Sequence, residues 1–140
     1  MLLYFSRLFD HTLGMQLYDR LYGGSFSRTI SLPFVHIMFG ARQTGKSTLI
    51  RSLIPAESLV FDLSNPLQRL QFAANPGQLI DIYRALPASE SPHFIFLDEV
   101  QSAPELFDAV QFLYDEEKRS LPDERRTRFI LCGSSARRLR

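Results

Sequence analysis

The chain has 140 residues, 45% of them hydrophobic and 22% charged, with a formal net charge of +1. That is the composition of an ordinary globular chain of about one domain, which excludes a disordered or fibrous protein. The near-neutral balance gives no overall field favouring nucleic acid or an anionic membrane, and the single cysteine, Cys132, excludes an internal disulfide and suits a reducing cytoplasm.

The N-terminal run from Met1 to Asp10 is apolar but broken by Ser6, Arg7 and Asp10. It lacks the basic start and long apolar core of a signal peptide. No stretch approaches the ~18 apolar residues of a membrane-spanning helix. Leu13, Leu17 and Leu21 recur at i, i+4 and i+8 beside Tyr18 and Tyr22, which predicts a helix from Asp10 to Tyr22 ended by Gly23-Gly24. Residues 1–31 therefore read as an N-terminal helical extension. At its end, the alternation of Phe26, Arg28, Ile30 and Leu32 predicts a short strand leading into Pro33. Val35 to Phe39 reads as a buried strand, and residues 47–53 as a helix that stops before Pro55. Ser58 to Leu63 is a second apolar run of strand length.

Asn65-Pro66 opens a helix to about Ala74, with proline at its first position. After Asn75-Pro76, Leu79, Ile82, Tyr83 and Leu86 form a helical stripe that reads as core rather than a cofactor box. Phe94 to Leu97 is a third strand, followed by Asp98-Glu99. Pro104 opens a helix carrying Leu106, Val110, Leu113 and Tyr114. Residues 115–128 are dense in charge and read as a solvated helix end and loop. Phe129 to Cys132 is a fourth strand, ending in Gly133-Ser134-Ser135, with the start of a helix beyond. Strands alternating with helices predict an α/β fold with a mainly parallel sheet. Such sheets bind ligands at the carboxyl ends of their strands. Gly40, Asp98-Glu99 and Ser134-Ser135 all follow such ends.

Gly40-Ala41-Arg42-Gln43-Thr44-Gly45-Lys46-Ser47 is a complete G-x-x-x-x-G-K-[ST] loop between a strand and a helix. The glycines let backbone N–H groups converge on one anion, and the helix N-terminus adds partial positive charge. Lys46 suits the β- and γ-phosphates, and the Ser47 hydroxyl suits Mg²⁺, which prefers hard oxygen ligands. Gly40 through Ser47, with the adjoining Thr48, are the candidate nucleotide-binding residues. Beside such a loop, Asp98 at the tip of a buried strand is in the position that holds the Mg²⁺ shell. Glu99 should point differently, because side chains alternate along an extended backbone. It is the candidate base for the attacking water.

Ser134 and Ser135 support two readings: a hydroxyl that touches the γ-phosphate or the water, or a turn and helix N-cap, for which Ser135 is suited. Cys132 reads as a small buried residue and His36 as structural; His11 and His93 read as surface or loop residues. The arginines 125, 126, 128, 137, 138 and 140 read as a solvated basic surface balanced by Glu116, Glu117, Asp123 and Glu124, in preference to a nucleic-acid contact or an arginine finger.

The segments 40–51, Phe96-Leu97-Asp98-Glu99-Val100-Gln101 and 129–139, with Phe61-Asp62-Leu63 and Ala74-Asn75-Pro76 between them, resemble the AAA-superfamily ATPases of the prokaryotic type usually followed by domain of unknown function 4143. The resemblance covers about Leu32 to Arg140. It implies a three-layer P-loop NTPase of the AAA/ASCE type, with the strand before Ser134 lying between the P-loop strand and the Asp98 strand. By similarity, Lys46 and Ser47 bind phosphate and Mg²⁺, Asp98 the metal shell and Glu99 the water, and Ser134 is the sensor residue. It implies ATP rather than GTP, and no guanine-reading Asn-Lys-x-Asp follows. Family members continue past the point matching Arg140. The expectation is therefore an ATPase domain over 32–140 that is incomplete at its C-terminus. Its fifth strand would be missing and the edge of its P-loop strand open. A homo-oligomer, or a C-terminal effector domain beyond Arg140, is the partner the resemblance implies. An Mg-dependent ATPase leads, with a nucleotide-binding switch or remnant without turnover, and a nucleic-acid-coupled ATPase, as alternatives.

Overall fold

The computed structural model describes residues 2–6, 27–40 and 45–134. Five parallel strands make one sheet: β1 (Leu2–Ser6), β2 (Val35–Gly40), β3 (Leu59–Asp62), β4 (Phe94–Asp98) and β5 (Arg128–Ser134), in the order β1-β2-β5-β4-β3. Among the described residues, the helices α1 (Lys46–Leu53), α2 (Pro66–Ala74), α3 (Gln78–Arg84) and α4 (Glu105–Ser120) alternate with strands β2 to β5. The C-terminal strand β5 is thus inserted between β2 and β4, the order that the resemblance implies.

The central strands are apolar on both faces, as a sheet covered by helices on two sides requires. Val35 and Ile37 of β2, Ile95 and Leu97 of β4, and Phe129 and Leu131 of β5 pack with Phe72 of α2, Leu79 of α3 and Leu106, Val110 and Leu113 of α4. The alternate residues Met38, Phe96, Ile130 and Cys132 pack with Leu49 and Ile50 of α1 and with Ile30. Period-two alternation along β2, β4 and β5 therefore builds two cores and three layers. Helix boundaries follow local signals. The Asn65 side chain caps α2 by accepting from the Leu67 N–H at 3.0 Å, with Pro66 at the first helical position.

Three expectations change. The strand expected around Phe26 to Leu32 is not formed: residues 27–30 are helical, and Ile30 is buried against the α1 face. Four alternating residues are too few to distinguish the periods. The helix closes with Leu32 N–H donating to Thr29 O at 3.1 Å and Ser31 Oγ to Arg28 O at 2.6 Å.

The expected helical extension contains a strand, since β1 pairs in parallel along the whole of β2, from Leu2 opposite His36 to Ser6 opposite Gly40. The P-loop strand has no open edge on that side: its peptide groups, which must be paired when buried, are paired with the N-terminus. The expected helix over Asp10 to Tyr22 lies outside the described residues.

The segment 115–128 is not a solvated surface throughout. Glu117 is 3% exposed and accepts hydrogen bonds from Thr127 N–H at 2.8 Å, Thr127 Oγ1 at 2.7 Å and Tyr83 Oη at 2.5 Å. Arg128 is buried and donates to the carbonyls of Ser31 and Asp123, both at 2.8 Å, while buried Arg126 pairs with Asp123 at 2.7 Å. These charges tie α4 and α3 to the start of β5.

Candidate functional site

The carboxyl ends of β2, β5 and β4 are brought side by side by the strand register: Gly40 lies opposite Ser134, and Cys132 opposite Asp98. Beyond Gly40, residues Ala41, Arg42, Gln43 and Thr44 lie outside the described residues. The loop re-enters at Gly45, whose φ of 80° is left-handed and suits glycine, and which is the N-cap of α1. Lys46 is buried and Ser47 half-buried in the first turn of α1, followed by exposed Thr48.

Asp98 is buried at the tip of β4, with the Ser47 hydroxyl hydrogen-bonded to its carboxylate. Burial pushes its carboxyl above the usual carboxylate range; the Ser47 hydrogen bond pulls the other way, and the charges of Glu99 and Asp62 add to the push. Asp98 Oδ1 has no hydrogen-bond partner among the described residues. A cation beside it would relieve both the repulsion and the orphaned acceptor.

Glu99 does not continue the alternation of the strand. Its φ of 57° and ψ of 42° are left-handed, so the chain leaves the strand at this residue. It is the only non-glycine residue with positive φ among the described residues, in a conformation uncommon for residues other than glycine. The carboxylate Oε2 accepts from Ser134 Oγ at 2.8 Å and from the amide Nε2 of Gln101, which also donates to Ser134 Oγ at 3.2 Å. Ser134 therefore lies within β5, 2% exposed and joined to Glu99; Ser135 lies outside the described residues.

Ser47, Asp98 and Glu99 line a cavity of about 380 Å³ together with Asp62, Ser64 and Arg69. Asp62 was not singled out from sequence as a site residue, yet it ends β3 as Asp98 ends β4 and lies opposite it in register. A carboxylate at a strand tip was the signal that could have found it. Arg69, on α2, had no comparable signal; among the described residues its guanidinium forms no ion pair. Gln101 lay inside a quoted motif without a role.

A second cleft of about 350 Å³, lined by Tyr83, Leu86, Pro87 and His93, opens before the amino ends of β4 and β5, away from all of these groups. Cys132 is packed in the core with its thiol pushed up to about 12 by burial, so it is no nucleophile at neutral pH.

A parallel sheet with a glycine-bounded loop and helix after one strand, and an acidic pair at the tip of another, defines a P-loop nucleotide-binding α/β protein. The family model described as "AAA domain" matches residues 33–140, and the chain belongs to that family. No curated protein and no solved structure matches it. Among the described residues, no helix is long and apolar enough to cross a membrane.

Proposed function

We propose that this protein is a cytoplasmic, Mg²⁺-dependent ATPase whose domain runs over residues 32–140. The observation that carries the reading is the joining of Glu99 to Ser134 beside Asp98 and Ser47, at the strand ends flanking the phosphate loop. Gly40 to Thr48, Lys46 above all, would cradle the phosphates. The oxygens of Ser47 and Asp98 fit a hard cation: Asp98 keeps a buried, unpartnered oxygen, and three carboxylates line a cavity that is to receive a polyphosphate. Among the described residues no trio of His, Cys, Asp or Glu could enclose a metal alone. This suits an ion that shares its coordination with phosphate and water.

Ser47 and Asp98 would hold Mg²⁺, which would supply positive charge against the polyphosphate. Glu99 would orient the attacking water and draw off its proton as the water oxygen bonds to the γ-phosphorus. The bond between that phosphorus and the β–γ bridging oxygen breaks, and ADP and inorganic phosphate leave. Ser134, hydrogen-bonded to Glu99, would sense the γ-phosphate. The nucleic-acid-coupled alternative loses two of its arginines, because Arg126 and Arg128 are occupied by internal contacts; Arg137, Arg138 and Arg140 lie outside the described residues.

Phosphate release measured with Mg-ATP tests the reading. Glu99→Gln should lower the rate about 100-fold or more while nucleotide binding persists. Equal rates would remove Glu99 from the role of base, and binding without any release by the wild type would favour the switch or remnant.

A further inference from the structure

Gln101 sits on the single 3₁₀ turn Val100–Ser102 that follows Glu99. Its amide Nε2 donates to both Glu99 Oε2 and Ser134 Oγ, and Ser134 Oγ donates to the same carboxylate oxygen. Glu99 Oε2 thus takes two donors, whereas Oε1 takes none among the described residues. The two oxygens of one carboxylate are made unequal: one is anchored by two donors and the other by none among the described residues, and Glu99 lines the cavity.

The amide is itself held in a fitted slot. A Cβ at Gly133 would lie 2.8 Å from Gln101 Oε1 and 2.5 Å from the Phe39 ring, so the missing side chain of Gly133 makes room for both. Within that slot Oε1 is buried with no hydrogen-bond partner among the described residues. An amide kept for packing alone would be better replaced by an apolar side chain, since an unmade buried hydrogen bond is costly. The donor end of Gln101 is what the site uses.

We propose that Gln101 is a positioning residue for Glu99: it anchors Oε2, together with Ser134, and leaves Oε1 as the oxygen that meets the water at the terminal phosphate. The inference rests on the ATPase reading. Gln101→Met fills the slot but cannot donate. Gln101→Glu replaces the donor by an acceptor facing Glu99.

Steady-state phosphate release should fall about 10- to 100-fold in kcat for Gln101→Met and further for Gln101→Glu, with KM for Mg-ATP and the melting temperature nearly unchanged. In a Glu99→Gln background, Gln101→Met should have little further effect, because residues acting through one group are not additive. A loss that instead multiplies in the double variant, or that falls on KM or melting temperature alone, would overturn the positioning role. So would wild-type kcat in both Gln101 variants. An inactive wild type would overturn the ATPase reading and this inference with it, whereas an active wild type matched by Gln101→Met would sink this inference alone.

Discussion

At the scale of single residues, Gly133 shows how the site constrains a position within a strand. It lies in the middle of a parallel sheet, where glycine ordinarily weakens a strand. Its hydrogen is required because the Phe39 ring and the Gln101 amide both occupy the space of a side chain. Gly133→Ala should therefore cost about 1–3 kcal/mol, the usual penalty for overpacking. It should also slow phosphate release by displacing Gln101. Thermal unfolding and a rate assay on the same preparation check this, and an alanine variant with wild-type stability and rate would contradict it. Only half of this was visible in the sequence. Gly133-Ser134 could be read as a strand end with a reporting hydroxyl; the close approach of Phe39 and Gln101 depends on the β2–β5 register, which no local pattern encodes. The same holds for Glu99, where strand alternation was the expectation but the backbone is left-handed and the chain leaves the strand.

At the scale of elements, the strands that carry the site were legible because each is a short apolar run bounded by a turn signal or a carboxylate. Helix α2 was legible from Asn65-Pro66, a cap and a first-turn proline. The N-terminal strand was not. Leu2–Ser6 alternates nothing polar with its apolar residues, and its identity comes from an available partner, the edge of β2. The charged stretch 115–128 was misread for a related reason: Glu117 and Arg128 find partners distant in sequence or on backbone carbonyls, and Arg126 is buried against its near neighbour Asp123. Removing residues 1–6 should uncover the β2 edge, lower the melting temperature by roughly 5 °C or more, and drive the protein into larger assemblies. Size-exclusion chromatography and thermal unfolding report both; unchanged behaviour would mean that β1 contributes nothing to the sheet.

At the scale of the whole molecule, the fold gathers at one edge what the chain separates by almost a hundred residues. β2 delivers the phosphate loop, β4 delivers Asp98 and Glu99, and β5, inserted between them, delivers Ser134 to Glu99. The order of strands is what makes this convergence, and it was implied by family resemblance rather than by periodicity. Strands β2 to β5 are packed on both faces by apolar side chains, which fixes the position of that edge. The central claim is that this edge binds a nucleoside triphosphate through Lys46. Isothermal titration of the wild type and of Lys46→Ala with Mg-ATP tests it most directly. The account predicts one site per chain in the wild type and at least a roughly 100-fold loss of affinity in the variant, equivalent to about 2.7 kcal/mol. Equal affinities, or no binding by a folded wild type, would contradict it.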